Sequence, residues 1–164
     1  EISQAAIERA TRALGGLADQ FEEWIVEETA RLVAARARVD QEGYQCEPAE
    51  ELFRVAHDLK GEAETFGYPL VTRIGASLCF LLEAVEQGTP FHPELVNLHI
   101  DAVRAIVRDH IKGQANQTAN AMFTQLAEAT DGYVSAHPPQ AAESENTAAG
   151  QPVSEPACAR SNAS

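Results

Sequence analysis

The chain has 164 residues and a mass of 17.7 kDa, enough for one compact core with an appended segment and too little for two ordinary catalytic domains. Hydrophobic residues make up 45% and charged residues 23%, and a formal net charge of −13 with no basic patch to override it argues against binding nucleic acid. The longest apolar run, residues 78–85, is interrupted by Glu83 and falls short of the roughly 20 residues of a membrane span, so no membrane partner is expected.

Strand-type alternation is absent and helix formers dominate, which predicts an all-α fold. In residues 3–40, Ile7, Leu14, Leu17, Phe21, Trp24, Ile25, Leu32 and Val39 recur at three-and-four spacing and define one apolar stripe, with Phe21 and Trp24 as core or bundle-rim aromatics. The stripe runs in phase across Gly15 and Gly16, a pair that costs on the order of 2 kcal/mol against alanine. It predicts either one long helix with a weak point, the reading adopted, or two helices meeting at a hinge. Residues 43–48 break the pattern, and Pro48 suits the first turn of a second helix reaching Phe66. Gly67 stands where a C-terminal cap belongs. Pro69 starts a third helix, whose Leu70, Val71, Ile74, Leu78, Leu81, Leu82 and Val85 make a broad apolar face before Gly88 ends it. Thr89-Pro90 opens a fourth helix that extends to Lys112. Short connections then predict an up-and-down antiparallel four-helix bundle with a long N-terminal helix. Met122, Phe123 and Leu126 suit one short C-terminal helix docked on it. The helical domain is accordingly placed at 1–130 and a disordered polar tail at 131–164.

The segment with chemical content is residues 56–67. Stepping about 100° per residue, Leu52, Val55, Ala56, Leu59, Ala63 and Phe66 gather on one buried face, and His57 falls opposite, toward solvent. Phe53 and Arg54 lie one turn before it, Lys60 and Gly61 one turn after, and Glu64 two turns after. A glycine at position 61 is worse than alanine by about 1 kcal/mol in a helix interior, so its missing side chain serves a purpose. It leaves space beside the imidazole for a phosphoryl group and another protein's backbone. Lys60 can reach over that space and offset added negative charge. At neutral pH a solvated imidazole keeps a lone pair on one ring nitrogen for attack on phosphorus.

At these residues the chain resembles the histidine-containing phosphotransfer domains of bacterial phosphorelays: His57, an arbitrary Asp58, the apolar Leu59, then Lys60, Gly61 and, ten positions after the histidine, Gly67. The wording from Lys60 to Gly67 is also similar to the phosphoacceptor domain of chemotaxis kinases. The resemblance implies a phosphocarrier and not a complete enzyme. His57, through Nε2, accepts a phosphoryl group and exchanges it with aspartates of response-regulator receiver domains, with Lys60 as the neutralising cation. Phe53, Arg54, Gly61 and Glu64 would face the partner. The chain needs no cofactor of its own, since the receiver would bring the magnesium, and an upstream histidine kinase or hybrid kinase would feed the relay. Many relatives carry a small residue where this chain has Glu64, and a carboxylate there would either narrow the set of partners or repel the phosphoryl group, bearing more on partner identity than on function. Two alternatives are a receiver-docking module that is never phosphorylated and a phosphoacceptor piece of a larger sensor or chemotaxis kinase.

No Gly-rich phosphate loop or kinase signature is present, so no ATP-dependent activity is expected. Cys46, Cys79 and Cys158 are odd in number and widely spaced, which fits neither a disulfide framework nor a zinc site. Cys79 reads as a small buried hydrophobe. His92, His99, His110 and His137 form no Glu-x-x-His pair and read as structural or solvated, with no metal expected. No signal peptide opens the sequence, and a cytoplasmic monomer is the expectation. The first residue is Glu1, which leaves open a trimmed chain or a piece of a longer one.

Overall fold

The computed structural model describes residues 3–139, and its elements are all helical. They are α1 (Gln4–Glu42), α2 (Cys46–Glu62), α3 (Pro69–Glu86), α4 (Pro93–Arg108) and α5 (Gln117–Ala136). α1 packs on α2, α2 on α3, α3 on α4 and α4 back on α1, which closes the antiparallel four-helix bundle; α5 lies against α3 and α4. One continuous core fills the interior, from Ile25 and Leu32 of α1 through Leu52 and Leu59 of α2 and Ile74, Leu78 and Leu82 of α3 to Val96, Val103 and Ile106 of α4. No helix among the described residues is long and apolar enough to cross a membrane.

Helix ends follow local chemistry. Ser3, His92 and Asn116 each accept a backbone N–H from three residues on, at 3.3, 3.2 and 2.9 Å, and so cap α1, α4 and α5. Gly67 (φ +92°) and Gly88 (φ +115°) close the chain after α2 and α3 in the left-handed conformation that glycine adopts without steric cost. In both, the following N–H turns back to a carbonyl five residues earlier, Tyr68 to Ala63 at 2.9 Å and Thr89 to Ala84 at 3.0 Å.

Several boundaries depart from the sequence expectation. α2 starts at Cys46, placing Pro48 inside its first turn, and ends at Glu62; the stretch to Gly67 continues as turns, because the Glu64 N–H leaves the helical ladder to donate to the Thr72 hydroxyl at 2.8 Å. α4 starts at Pro93, with His92 as its cap, and not at Pro90. Thr89 and Pro90 are instead tied to α5, through Thr89 Oγ1 donating to the His137 carbonyl at 2.8 Å and Tyr133 Oη donating to the Pro90 carbonyl at 2.7 Å. α4 ends at Arg108 and not near Lys112, closed by a positive φ (+51°) at His110. The C-terminal helix is no short appendage. α5 has 20 residues and runs through the expected tail boundary at Asp131, because Leu126 and Thr130 are buried against the bundle. The remainder of the expected tail, 140–164, lies outside the described residues.

The largest departure is in α1. It is one continuous helix of 39 residues, as expected, but its first buried residue is Ile25. Ile7, Leu14 and Leu17 are 49%, 66% and 46% exposed, so the front half of the stripe projects beyond the bundle and is not core.

Candidate functional site

α2 directs Leu52, Val55, Ala56 and Leu59 into the core, each at most 4% exposed, and this burial turns the opposite side of the helix to solvent. His57 stands there, exposed, with Arg54, Lys60 and Gly61 exposed beside it. Phe53 rests half-buried on the core, its ring centroid 6.2 Å from that of the imidazole at an interplanar angle of 33°. It forms an apolar rim to the site. Arg54 is held loosely, one guanidinium nitrogen 3.7 Å from Glu51, with its side chain 70% exposed. A Cβ built on Gly61 would meet nothing within 4 Å. The place one turn beyond His57 is therefore open, as the spacing predicts.

Phe66, expected on the buried face of α2, sits only half-buried in the turns beyond the helix, against Phe21 and Trp24. Glu64 is exposed but belongs to the same turns and not to the helix, so it does not extend the helical row of His57 and Gly61. Gly67 is not brought to His57. Its carbonyl accepts the Gly113 N–H at 3.1 Å, joining the loop after α2 to the loop after α4, which is a structural role.

The charges around His57 are asymmetric. On the α3 side, the Lys60 ammonium acts on the Cys79 thiol, whose burial nonetheless holds its pKa up at about 11. On the α1 side, Glu28 is 4% exposed; its Oε1 accepts from Arg31 at 2.8 Å and its Oε2 has no hydrogen-bond partner. Burial raises its carboxyl pKa, Arg31 opposes this, and the neighbouring Asp58 and Glu62 raise it further. Carboxylates thus crowd the α1 side of α2, whereas on the α3 side the Lys60 ammonium stands with the Glu83 carboxylate, which opposes it at Cys79.

Two residues escaped the sequence reading. Gly75 of α3 is where α3 touches α2: a Cβ there would lie 2.9 Å from the Lys60 nitrogen and 3.2 Å from the Ala56 carbonyl oxygen. The backbone that carries His57 is braced against α3 through that missing side chain. An isolated glycine within an otherwise apolar helical stripe is the signal that could have found it. Phe80, also on α3, is a large apolar side chain left 44% exposed. The other histidines divide as expected between structure and surface, with His99 fully buried and His110 exposed.

His57 occupies open helix surface and not a pocket. His57 lines neither a groove of about 620 Å³ between α1 and α4 nor a smaller one of about 270 Å³ over Glu47, Glu50, Glu51 and Arg54 of α2. Among the described residues no group of three or more His, Cys, Asp or Glu side chains is placed to hold a metal ion. An exposed imidazole beside an ammonium group and an open gap is accessible to a group that another protein presents. A family model described as Hpt domain matches residues 16–129. Neither the curated proteins nor the solved structures yield a match to the chain.

Proposed function

This chain belongs to the Hpt domain family, whose members carry phosphoryl groups on histidine in phosphorelays, and on that footing we propose that His57 is its phosphoryl acceptor. The observation that carries the assignment is the exposed position of His57 on α2 with an unobstructed gap at Gly61 one turn away. A receiver domain of a response regulator docks over Phe53, Arg54 and Gly61, with Glu64 at the border of the contact. The apolar rim at Phe53 supplies buried area, and Arg54 steers an acidic partner.

In the transfer, a lone pair of the imidazole, at Nε2, attacks the phosphorus of an aspartyl phosphate in line. The P–N bond forms as the P–O bond to the aspartate breaks, and the carboxylate leaves with the electron pair. The other ring nitrogen keeps its proton. Lys60 offsets the charge of the transferred group, while the magnesium is expected from the acidic pocket of the receiver. The reverse transfer uses the same contacts. An upstream histidine kinase or hybrid kinase supplies the phosphoryl group, and this chain is a carrier, not a kinase.

Incubation with a phosphorylated receiver domain is expected to place an acid-labile, base-stable phosphate on the chain, and none on His57→Gln. Label that persists in His57→Gln sinks the assignment. Unchanged receiver binding with no label on the wild type would favour a docking module instead.

A further inference from the structure

α3 lies beside the helix that carries His57, and every direction around it but one is taken. Ile74, Leu78 and Leu82 fill the core. Gly75 and Cys79 turn to α2: a Cβ on Gly75 would meet Ala56 and Lys60, and the Lys60 ammonium acts on the Cys79 thiol. Ser77 turns to α4, its hydroxyl 2.9 Å from His99 Nε2. Arg73 turns to α5, where Nη1 donates to Asn120 Oδ1 at 3.2 Å and the guanidinium lies 4.2 Å from the centre of the Phe123 ring. Stepping about 100° per residue, Ala76 and Phe80 fall between the row facing α2 and the row facing α5, on the side open to solvent. Ala76 is half-buried and Phe80 is 44% exposed. Of the exposed large apolar side chains among the described residues, Phe80 is the one that α2 or α3 presents. The two helices run antiparallel, so the contact of Gly75 with the Ala56–Lys60 turn sets their register. Ala76 stands at the level of His57, and Phe80 at the level of Phe53.

We infer that the receiver domain exchanging phosphoryl groups with His57 docks across α2 and α3, with Phe80 as a second apolar anchor beside Phe53. The inference rests on His57 as the acceptor, because whatever delivers the group must cover that imidazole. A standard interface takes about 800 Å² from each partner, more than one helix face supplies, so the contact extends onto a neighbouring helix. The two neighbours differ in charge and in apolar surface. On the α1 side, Glu27, Glu28, Asp58 and Glu62 gather with Arg31 as the cation among them. A partner that brings an acidic, metal-binding pocket is repelled there. On the α3 side Lys60 and Glu83 offset one another at Cys79. The surface beyond them is small at Ala76 and aromatic at Phe80, so burial adds apolar area continuous with Phe53 without confronting an excess of like charge. An aromatic side chain beside a central reacting group is also the kind of residue that dominates binding energy in such contacts.

Transfer from a phosphorylated receiver domain to the full chain, followed as a function of receiver concentration, tests this. Phe80→Glu is expected to raise KM about tenfold with the maximal rate within about twofold of the wild type, and Phe80→Ala, which removes the ring without adding charge, to raise KM less. Leu98→Glu, at an exposed apolar side chain of α4, is expected to leave both quantities unchanged. A KM unmoved by either Phe80 substitution overturns the choice of face, as does a loss confined to the maximal rate or a rise that Leu98→Glu matches. Phosphoramidate, a small donor that needs no docking surface, separates this failure from failure of the His57 assignment. Label from phosphoramidate on the wild type and none on His57→Gln keeps His57 as the acceptor even where the face is overturned; a wild type labelled by neither donor overturns both.

Discussion

At the scale of single residues, the site depends on one side chain present and one absent. His57 is exposed because α2 buries the opposite face, and Gly61 leaves the adjacent place open. These two facts pull stability and function apart. The structure places Gly61 in the last turn of α2 and not in the helix interior that the spacing predicts; Gly61→Ala puts a methyl group where no neighbour is met, so the fold gains at most about 0.5–1 kcal/mol from helix propensity, read as a higher urea midpoint. The same methyl group narrows the approach of a receiver backbone, and the rate of phosphoryl labelling is expected to fall several-fold. A variant that is more stable and labels at the wild-type rate would show that the gap serves no transfer.

At the scale of elements, the α2–α3 pair sets where that histidine stands. Gly75 lets the α3 backbone rest on Ala56 and Lys60, and the Thr72 hydroxyl ends the α2 ladder by taking the Glu64 N–H. Gly75→Ala is the opposite of the change at Gly61. Its Cβ would lie 2.9 Å from backbone that has no soft direction to yield, so the helices must separate, at a cost of about 1–3 kcal/mol by analogy with overpacked cores. Denaturant titration of the two alanine variants side by side should show shifts of opposite sign. A neutral Gly75→Ala would mean that the close approach does not brace α2.

At the scale of the whole molecule, two polar centres tie distant segments together. His99 is completely buried: its Nδ1 faces the Leu95 carbonyl at 2.7 Å and its Nε2 faces the Ser77 hydroxyl at 2.9 Å, with Thr130 Oγ1 at 3.4 Å, so α3, α4 and α5 meet on one ring. At the end where the exposed front half of α1 leaves the bundle, Glu22 of α1 accepts from Tyr68 Oη at 2.9 Å and pairs with Lys112, with His110 3.6 Å away. Burial holds His99 below its ordinary 6.5 against the opposing pull of the Leu95 carbonyl. The Lys112 contact holds Glu22 below its ordinary 4.5, with burial opposing and Tyr68 assisting. Both groups bind protons more readily in the unfolded chain, so each stabilises the fold above its unfolded value and loses that contribution as pH falls toward its folded one. Stability is therefore expected to decline first below about pH 6.5, through His99, and again below about pH 4.5, through Glu22. Urea denaturation across that range should show His99→Gln flattening the first decline; a wild type equally stable at about pH 8 and about pH 5 would contradict it.

How much of this could be read beforehand divides along physical lines. Whatever depends on the chain's own backbone step was legible: the all-α class, the order of the helices, the buried row Leu52, Val55, Ala56 and Leu59, and with it the outward His57 and the vacant turn at Gly61, all follow from identity and spacing within a few residues. What depends on groups distant in sequence was not. Periodicity shows that α1 has an apolar stripe but not which part is covered, because cover comes from helices dozens of residues away, and only packing revealed that Ile7, Leu14 and Leu17 stand free. The full length of α5 likewise rests on Leu126 and Thr130 finding a place against the bundle, and the purpose of Gly75 on the passage of another backbone 2.9 Å from where its Cβ would be. Local sequence decides which way a side chain points from its helix; only the packed bundle decides what, if anything, it meets there.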